Sequence, residues 1–382
     1  MKIGFITEKY PPEIGGLAVS SERLVKLLID AGHQIRVLTF TSHVETRQAL
    51  FDAQGQLTIC RLGAYRRMND TLQACFDILV RQHQKINLDL LHGYFITQAS
   101  FISTYAGKFM GIPTVVSARG NDLDRAIFDP AKAAHILYAL NYASAVTGNS
   151  YELVNKAQAL APNQKVFYVP NGVDTDIFQP RTRNETLANK LGLNEHLVVG
   201  FVGEARAKKG LAHLLLAFRE LSSRFPVALL LVGGVRSGED KDLLKVFRKQ
   251  HPGLHIVLTP YISNAELPDY YSLIDIMVLP SLHDGLPNAL LEAMACERAV
   301  VATPVGGFVD AIVNGKNGRL IPPDDVNSLV IALAELLSNR EMRQQLGRQA
   351  RITVSQKFTL TAELEGYLKV YDYVQRGINN KS

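Results

Sequence analysis

The sequence contains few cysteines, and their spacing matches no metal or disulfide pattern. Cys60, Cys75 and Cys296 form no Cys-x-x-Cys pair, and no histidine stands beside them at ligand spacing. A structural zinc site needs such clustered ligands, and a disulfide framework needs paired cysteines in an oxidising compartment. Neither is indicated, so we expect reduced thiols in a cytoplasmic protein.

Long apolar runs are also missing. No run approaches the roughly 18 residues of a membrane-spanning helix, and the longest one, around Val227–Val232, predicts a buried strand. Only a few apolar residues precede Glu8 and Lys9, which is too short a stretch for a secretory signal. The expected location is the cytoplasm, and contact with the inner face of a membrane stays open.

A strong excess of one charge is absent as well. The formal net charge is +5, and residues 1–170 contain 17 Lys and Arg against 13 Asp and Glu, so the surplus lies in the first half. We expect no nucleic-acid partner. The densest basic cluster consists of Arg61, Arg66 and Arg67, which either hold an anionic acceptor or lipid headgroups or belong to a solvated loop.

The length and the order of local patterns predict two α/β domains. A chain of 382 residues exceeds the size at which one hydrophobic core stops growing. Short β-rich runs alternate with helical patterns, which is typical of parallel βαβ units. The segment Pro170–Pro180 lacks apolar periodicity and is interpreted as a linker. The predicted domains are residues 1–175, joined by a C-terminal helix at about 362–382 that packs back on them, and residues 176–361.

Individual elements can be placed from these patterns. The chain opens with a strand at Ile3–Thr7, a loop at Tyr10–Leu17, and a helix at Ser20–Ala31 with a serine N-cap. Further strands are predicted at Ile35–Phe40, Leu57–Leu62, Leu88–His92, Thr114–Ala118, Ala145–Thr147, Val166–Val169, Val198–Val202, Ala228–Val232, His255–Leu258, Ile276–Leu279 and Val300–Ala302. Three helices are predicted at the end, over Val326–Leu337, Glu341–Val354 and Ala362–Gln375.

The loops that follow the strands are the expected ligand-binding positions, because open α/β sheets bind ligands beyond the carboxyl ends of their strands. Gly15 and Gly16 follow the first strand, where adjacent glycines let backbone N–H groups approach a phosphate. Taken alone, two adjacent glycines more often form a simple turn. The dinucleotide fingerprint Gly-x-Gly-x-x-Gly is absent at this position, which argues against a nicotinamide cofactor.

A basic loop, Gly203–Gly210, follows the first strand of the second domain. It contains Arg206, Lys208 and Lys209 directly before a helix. Because a helix N-terminus already attracts anions, three cations at this position suggest a bound diphosphate. The alternative is a solvent-facing basic loop.

A second loop of the same domain leads into an almost wholly apolar helix. Pro287 is predicted to begin this helix, whose first N–H groups are then available to an anion. Glu292 lies one turn after Asn288 among apolar residues. A buried carboxylate needs a partner, which is either a protein donor or a ligand hydroxyl.

These pieces stand in the order found in glycosyltransferase family 4, whose members are retaining enzymes with the GT-B fold, and the sequence resembles that family over nearly its whole length. The resemblance rests on Gly15-Gly16, on Pro170–Asp174, on the basic loop, on two acids eight positions apart, and on Pro304-Val305-Gly306-Gly307. It implies two Rossmann-like, doubly wound parallel-sheet domains that face each other across a cleft and bind a nucleotide sugar.

The resemblance also implies roles for individual residues. Lys209 would contact the donor diphosphate, Glu292 the ribose hydroxyls, and Asp284 the hydroxyls of the transferred sugar. The other expected donor contacts are the backbone around Gly285, Leu286, Pro287 and Asn288, the glycines Gly15 and Gly16, and the nucleobase contacts Tyr261 and Ile262.

Three positions depart from the family pattern. Glu204 replaces an arginine, so we expect Arg206 to make the second phosphate contact. Arg119 replaces a histidine near the transferring sugar, and because an arginine stays cationic it is expected to bind an anionic group. Asp284 replaces a glutamate, which leaves the preferred sugar epimer open. The candidate catalytic residues are therefore Arg206, Lys209, Asp284 and Arg119.

Acceptor-side and metal-binding candidates are few. His92, Asn121 and Asp122 are the acceptor-side candidates, although His92 is equally interpretable as a core histidine. Asp122-Leu-Asp124 and Asp174-Thr-Asp176 resemble the metal motif of a different glycosyltransferase fold. We expect neither a metal nor another cofactor, because cations and helix N-termini can neutralise a diphosphate.

The predicted reaction is transfer of a sugar from a nucleoside-diphosphate donor to an acceptor hydroxyl, in polysaccharide, glycolipid or glycoside synthesis. No pair of carboxylates is arranged as in glycoside hydrolases. Two alternatives stay open, namely a sugar-nucleotide epimerase of similar fold and a non-catalytic nucleotide-sugar-binding protein. The nucleotide, the acceptor and the oligomeric state are not fixed by the sequence.

Overall fold

The computed structural model describes residues 1–379 and divides into two compact units. Unit 1 contains Met1–Asn171 together with the chain from Leu360 onward, and unit 2 contains Gly172–Thr359. Each division falls a few residues before the boundary expected from the sequence. Residues 380–382 of the expected C-terminal helix lie outside the described residues.

Unit 1 is built on a sheet of eight strands, ordered β3-β4-β2-β1-β5-β6-β7-β8. The strands are β1 Lys2–Thr7, β2 Gln34–Thr41, β3 Ala49–Gln54, β4 Leu57–Gly63, β5 Leu90–Tyr94, β6 Thr114–Ala118, β7 Ala145–Gly148 and β8 Val166–Tyr168. All neighbours are parallel except β3, which pairs antiparallel with β4 at the edge. Strand β3 was not predicted because nearly all its side chains are exposed, so it has no alternation of apolar and polar residues.

Helices connect the parallel strands of unit 1. They are α1 Gly16–Asp30, α2 Met68–Ile86, α3 Gln98–Met110, α4 Asn121–Asp124, α5 Pro130–Tyr142 and α6 Tyr151–Leu160. The predicted start of the first helix at Ser20 is wrong. Helix α1 begins four residues earlier, after Gly15, and Ser21 inside it donates its hydroxyl to the Leu17 carbonyl at 2.8 Å. Both serines therefore lie inside the helix, and Gly15 is its N-cap.

Unit 2 has a wholly parallel six-stranded sheet, ordered β11-β10-β9-β12-β13-β14. Its strands are β9 Leu197–Val202, β10 Val227–Val232, β11 Ile256–Thr259, β12 Ile276–Leu279, β13 Ala299–Ala302 and β14 Arg319–Leu320. All six residues of β10 are buried, as expected of a central parallel strand with both faces covered. The short β14 was not predicted from the sequence.

The helices of unit 2 are α7 Glu185–Leu191, α8 Leu211–Ser222, α9 Glu239–Gln250, α10 Leu267–Leu273, α11 Asn288–Ala295, α12 Phe308–Ala311, α13 Val326–Ser338 and α14 Arg340–Lys357. Asp325 caps α13 by accepting the Ser328 N–H at 2.9 Å. The sheet and these helices share one continuous core. The prediction of two parallel α/β domains is confirmed.

The last helix, α15 Leu360–Asn379, belongs to unit 1 although it follows unit 2 in the chain. Its buried tyrosines Tyr367 and Tyr371 lie in the same core as β1, β5 and β6. The guanidinium of Arg23 on α1 donates to both carboxylate oxygens of Glu363, at 2.8 and 3.0 Å, and Glu363 is 1% exposed. The expected return of the C-terminal helix to the first domain is therefore confirmed. Among residues 1–379 we find no helix with the length and apolar character to span a membrane.

Candidate active site

Two loops at the carboxyl ends of β9 and β12 pack together in unit 2. The basic loop Gly203–Gly210 precedes α8, and its Lys208 carbonyl accepts the Leu282 N–H at 2.9 Å. Gly210 has a φ of 75°, and a Cβ built on it would lie 2.0 Å from the Pro280 carbonyl oxygen. Only glycine permits this approach. The backbone thus fixes the basic loop against the loop that follows β12.

Lys209 and Asp284 form an ion pair at this junction. Their side chains are 18% and 15% exposed, so the pair is largely screened from solvent. The second carboxylate oxygen of Asp284 accepts the Gly285 N–H at 3.1 Å. The structure therefore brings two of the predicted site residues into contact, with the ammonium and carboxylate charges balanced against each other.

Arg206 lies in the same loop and pairs with Glu204, with 3.4 Å between guanidinium and carboxylate. Glu204 is about half exposed, whereas the Arg206 side chain is mostly buried. The Nε of Arg206 is buried and has no acceptor among residues 1–379. A phosphate oxygen could satisfy this donor, which agrees with the role expected for Arg206 but does not test it.

The N-terminus of α11 is the next part of the site. Pro287 is extended, with φ −74° and ψ 139°, and it is the N-cap of a helix that begins at Asn288, one residue later than predicted. The side chain of Pro287 makes no capping hydrogen bond. The loop before it is held by Gly306 and Gly307. A Cβ on Gly306 would lie 1.8 Å from the Asp284 carbonyl oxygen, and the Gly307 N–H donates to the Gly285 carbonyl at 2.9 Å.

Glu292 on α11 has a protein donor. The Tyr271 hydroxyl donates to its carboxylate at 2.8 Å, and Glu292 is only 7% exposed. Burial, and after it the Glu292 charge, raises the pKa of Tyr271 well above its usual range, so the hydroxyl keeps its proton. Of the two partners considered for Glu292 the protein donor is present. A carboxylate accepts several hydrogen bonds, so the predicted ribose contact stays a prediction.

The predicted nucleobase contacts follow β11 on the same edge of the unit 2 sheet. Tyr261 is 46% exposed, and Ile262 packs partly against the core. Their place after a parallel strand agrees with a ligand-binding position.

In unit 1, Gly15 and Gly16 form the start of α1. Gly15 has a φ of 133°, a conformation that L side chains rarely adopt. Gly16 has no positive φ, and a Cβ built on it would meet no described atom within 4 Å apart from its chain neighbours and the backbone of its own helix. Nothing within unit 1 therefore requires glycine at position 16, which is compatible with the predicted close approach of a ligand.

Arg119 follows β6, and a buried carboxylate fixes its backbone. Asp122 accepts the N–H groups of Arg119 and Gly120 at 2.9 and 2.8 Å, and it also accepts the N–H of Ile96. Because Asp122 is completely buried and used in this way, its proposed contact with an acceptor is corrected to a structural role. Burial raises its pKa even though these hydrogen bonds oppose the rise. Asn121 beside it is exposed.

His92 is a core residue. It is completely buried, and its two ring nitrogens lie 2.7 Å from the Tyr371 hydroxyl and 2.7 Å from the Ser117 hydroxyl. Burial, with a smaller contribution from the charge of Arg119, lowers its pKa to about 3. Since no ring atom reaches the surface of unit 1, the acceptor-side interpretation of His92 is replaced by the core alternative.

The two Asp-x-Asp sequences have other roles. Asp124 pairs with Lys156 at 2.7 Å, and Asp174 accepts the N–H groups of Asp176 and Ile177 within a turn. Among residues 1–379 there is no group of three or more His, Cys, Asp and Glu side chains that could hold a metal ion. Whether the reaction needs a metal is a separate question.

Sequence reasoning missed several partners of the site residues. Tyr271 beside Glu292, and Tyr94 and Asn171 beside Arg119, were assigned no role. Asn171 lay within a noted motif, but nothing local indicates that it reaches a residue 52 positions earlier. Tyr271 is one of several apolar-looking positions on α10 and gave no distinguishing signal.

Two family models match the chain, one for each unit. Residues 14–177 match the model described as Glycosyltransferase Family 4, and residues 183–353 match the model described as Glycosyl transferases group 1. Together they cover most of the sequence. The chain belongs to glycosyltransferase family 4. As a family 4 member it is a glycosyltransferase, and this confirms the resemblance noted from its motifs.

Relatives and solved structures agree with this membership. The family 4 chain is 24% identical to N-acetyl-alpha-D-glucosaminyl L-malate synthase of Bacillus anthracis over 97% of each sequence. It is 29% identical to a GDP-mannose-dependent phosphatidylinositol monomannoside mannosyltransferase of Mycolicibacterium smegmatis, over 62% of the chain and 64% of that protein.

Two solved structures show the GT-B fold of this family 4 chain. The sucrose-phosphate synthase of Thermosynechococcus elongatus superimposes with a TM-score of 0.83 at 20% identity, over the full length of both chains. Anabaena HepE in complex with UDP-glucose gives a TM-score of 0.80 at 20% identity, over 97% of this chain and 99% of that one.

Proposed function

We propose that this glycosyltransferase moves a sugar, with retention of configuration, from a nucleoside-diphosphate donor to an acceptor hydroxyl in polysaccharide, glycolipid or glycoside synthesis. The observation that supports this most directly is the position of Lys209 beside Asp284, at the carboxyl ends of the unit 2 strands and next to the N-terminus of α11. A cation, a carboxylate and a helix N-terminus together suit a sugar joined to a diphosphate.

The proposed chemistry follows from the charge that develops during the reaction. The bond between the anomeric carbon and the diphosphate oxygen breaks, and its electron pair leaves with the diphosphate. Lys209, Arg206 and the N-terminus of α11 would stabilise that negative charge. The acceptor oxygen bonds to the anomeric carbon from the same face and gives its proton to a phosphate oxygen. No nucleophile from the protein is needed in this scheme.

Asp284 has a dual part in the proposal. Asp284 neutralises Lys209 in the ion pair, and a bound diphosphate would replace Asp284 as the partner of the ammonium group. The released carboxylate could then accept hydroxyls of the transferred sugar, which is the contact that the family resemblance implies. Glu292 would accept the ribose hydroxyls while keeping its bond from Tyr271.

A thermal-shift screen with UDP-, GDP- and ADP-glucose and GDP-mannose tests the donor class. Anabaena HepE binds UDP-glucose and the mycobacterial relative uses GDP-mannose, so both nucleotides are included. We expect one nucleotide to raise the melting temperature in the wild type and much less in Lys209→Ala, because a ligand bound only by the folded state stabilises it. Equal shifts in both proteins, or no shift with any nucleotide, would overturn the proposal.

Reaction type is tested with the nucleotide found in that screen. A transferase releases free nucleotide faster when a suitable acceptor is added, whereas an epimerase converts the sugar without acceptor or nucleotide release. A panel of hydroxyl acceptors with inositol phosphates, malate and simple glycosides separates these cases. Binding without turnover across the whole panel would instead support a non-catalytic nucleotide-sugar-binding protein.

We also propose a cytoplasmic location with contact at the inner face of the membrane. The three cysteines are buried and unpaired, which suits a reducing compartment. Arg66 and Arg67 are exposed and available to anionic headgroups. Co-sedimentation with vesicles containing anionic lipid should fall when both are changed to glutamine. Absence of binding to such vesicles would contradict the membrane contact and favour a solvated loop.

A further inference from the structure

The guanidinium of Arg119 is held from two directions by uncharged groups. Its central carbon lies 4.6 Å from the centre of the Tyr94 ring, and its Nη2 donates to the side-chain oxygen of Asn171. Tyr94 is completely buried and Asn171 is 3% exposed, so neither partner can easily move away. All three residues belong to unit 1.

Contacts within unit 1 fix both the backbone and the guanidinium of Arg119. The Asp122 carboxylate fixes the backbone N–H, and the Tyr367 hydroxyl lies 3.5 Å from Nη1. A free arginine side chain loses rotamer entropy when it is immobilised. In the folded protein Arg119 has already lost this entropy before any ligand binds.

The charge of Arg119 is not neutralised by these contacts. Among residues 1–379 no carboxylate lies within 4 Å of its guanidinium. Its buried neighbour His92 stays neutral because burial lowers its pKa to about 3. A cation that is fixed in orientation and lacks a counter-charge is suited to bind an anion.

We propose that Asn171 and Tyr94 are positioning residues, which hold Arg119 as a preorganised cation for a phosphate or carboxylate group of the substrate. This rests on the proposed function in one respect, that Arg119 meets a substrate anion. It gives the Pro170-Asn171-Gly172 motif a physical role in this chain. The ring face of Tyr94 matters, whereas its hydroxyl is buried without a hydrogen-bond partner among the described residues.

Side-chain NMR of arginine in the full chain tests the hold directly. The Nε–H signal of Arg119 is assigned by its loss in Arg119→Lys. In the wild type we expect separate, slowly exchanging Nη signals, because the bond to Asn171 hinders rotation of the guanidinium. Asn171→Ala should average these signals. Asn149→Ala is the matched control, since Asn149 is also 3% exposed in unit 1 and has no bond to Arg119.

The same signal reports anion binding. With inorganic phosphate as the probe, we expect the Arg119 Nε–H signal to shift. The affinity should fall about tenfold in Asn171→Ala, because the anion must then order the guanidinium on binding. Tyr94→Phe should retain both behaviours, because it keeps the ring face. Tyr94→Leu should lose them, and circular dichroism shows whether that variant still folds.

The outcomes separate the two claims. Averaged Nη signals in the wild type, or unchanged signals in Asn171→Ala, would overturn the positioning role. Hindered rotation without any response to phosphate would support the positioning of Arg119 by Asn171 but overturn its role as an anion site. The proposal for Lys209 would be unaffected.

Discussion

The two units hold their candidate cations in opposite ways. In unit 2, Lys209 and Arg206 each pair with a carboxylate, Asp284 and Glu204, so the four charges cancel. In unit 1, Arg119 is held by an aromatic ring and an amide and keeps its charge. The difference teaches that a diphosphate can pair with the Lys209 ammonium only by displacing Asp284 from it, whereas an anion at Arg119 displaces no carboxylate.

The largest expected effect, and the strongest test of this difference between the units, comes from removing the Lys209 side chain. Lys209→Ala should lose about 2.7–4 kcal/mol of transition-state stabilisation, the scale for one preorganised donor. Steady-state turnover with the donor found by thermal shift measures it. Lys245→Ala, which removes an exposed lysine on α9 of the same unit, is the control. If Lys209→Ala keeps turnover within about threefold of wild type, the role assigned to this lysine is wrong.

The backbone support of the same loop is tested by Gly306→Ala. Its Cβ would meet the Asp284 carbonyl at 1.8 Å, and its φ is 53°, so the loop must shift. We expect a loss of about 1–3 kcal/mol in unfolding free energy together with weaker donor binding. Gly315→Ala is the control, because Gly315 also has a positive φ of 76° but its nearest neighbour is a flexible arginine end at 3.7 Å. Equal effects of the two changes would show that φ alone matters.

A smaller effect concerns His92, the buried neutral neighbour of Arg119, and its influence on the stability of unit 1. The pKa of His92 is about 3 in the folded protein against an ordinary value of 6.5, so the unfolded chain binds the extra proton first. The contribution of His92 to stability should therefore be present above about pH 6.5 and fall by about 1.4 kcal/mol per pH unit as the pH drops toward 3. Guanidinium denaturation at several pH values measures this slope.

The matched comparison for this slope is His92→Gln against His43→Gln. The first change removes the buried titrating group and should flatten the pH dependence, although the variant is less stable at pH 7. The second removes an exposed histidine and should leave the slope as in wild type. A slope that survives in His92→Gln would assign the pH dependence to other groups.

The smallest expected effect is that of metal removal. If Lys209, Arg206 and the start of α11 suffice to neutralise the diphosphate, EDTA treatment should leave turnover within about twofold of the untreated enzyme. Added Mg²⁺ or Mn²⁺ should likewise change little. Loss of activity on chelation, restored by one divalent ion, would show that side-chain cations are not enough and would weaken the comparison between the units.

Much of the fold could be predicted from the sequence because parallel strands buried on both faces are continuous apolar runs. Residues Thr114–Ala118 and Ile276–Leu279 were placed without error for this reason. Strand β3 and the start of α1 were not, because an exposed edge strand has no apolar pattern and a glycine N-cap gives a weaker signal than a nearby serine.

Positions of the candidate site were predictable, but their partners were not. Asp284, Glu292 and the glycines stand out through motif order, whereas contacts such as Arg119 with Asn171 or His92 with Tyr371 join residues 52 and 279 positions apart. Local periodicity holds no information about which of several buried polar side chains will meet across that distance. The assignment of His92 was decided only by the three-dimensional structure.

The return of α15 to unit 1 has a consequence for biosynthesis. Tyr367, Tyr371 and Glu363 leave the ribosome only after all of unit 2 has been translated, so the first unit to be synthesised cannot complete its core until the last helix emerges. A released chain that ends at residue 359 should therefore contain a natively folded unit 2 beside an N-terminal unit that remains sensitive to protease.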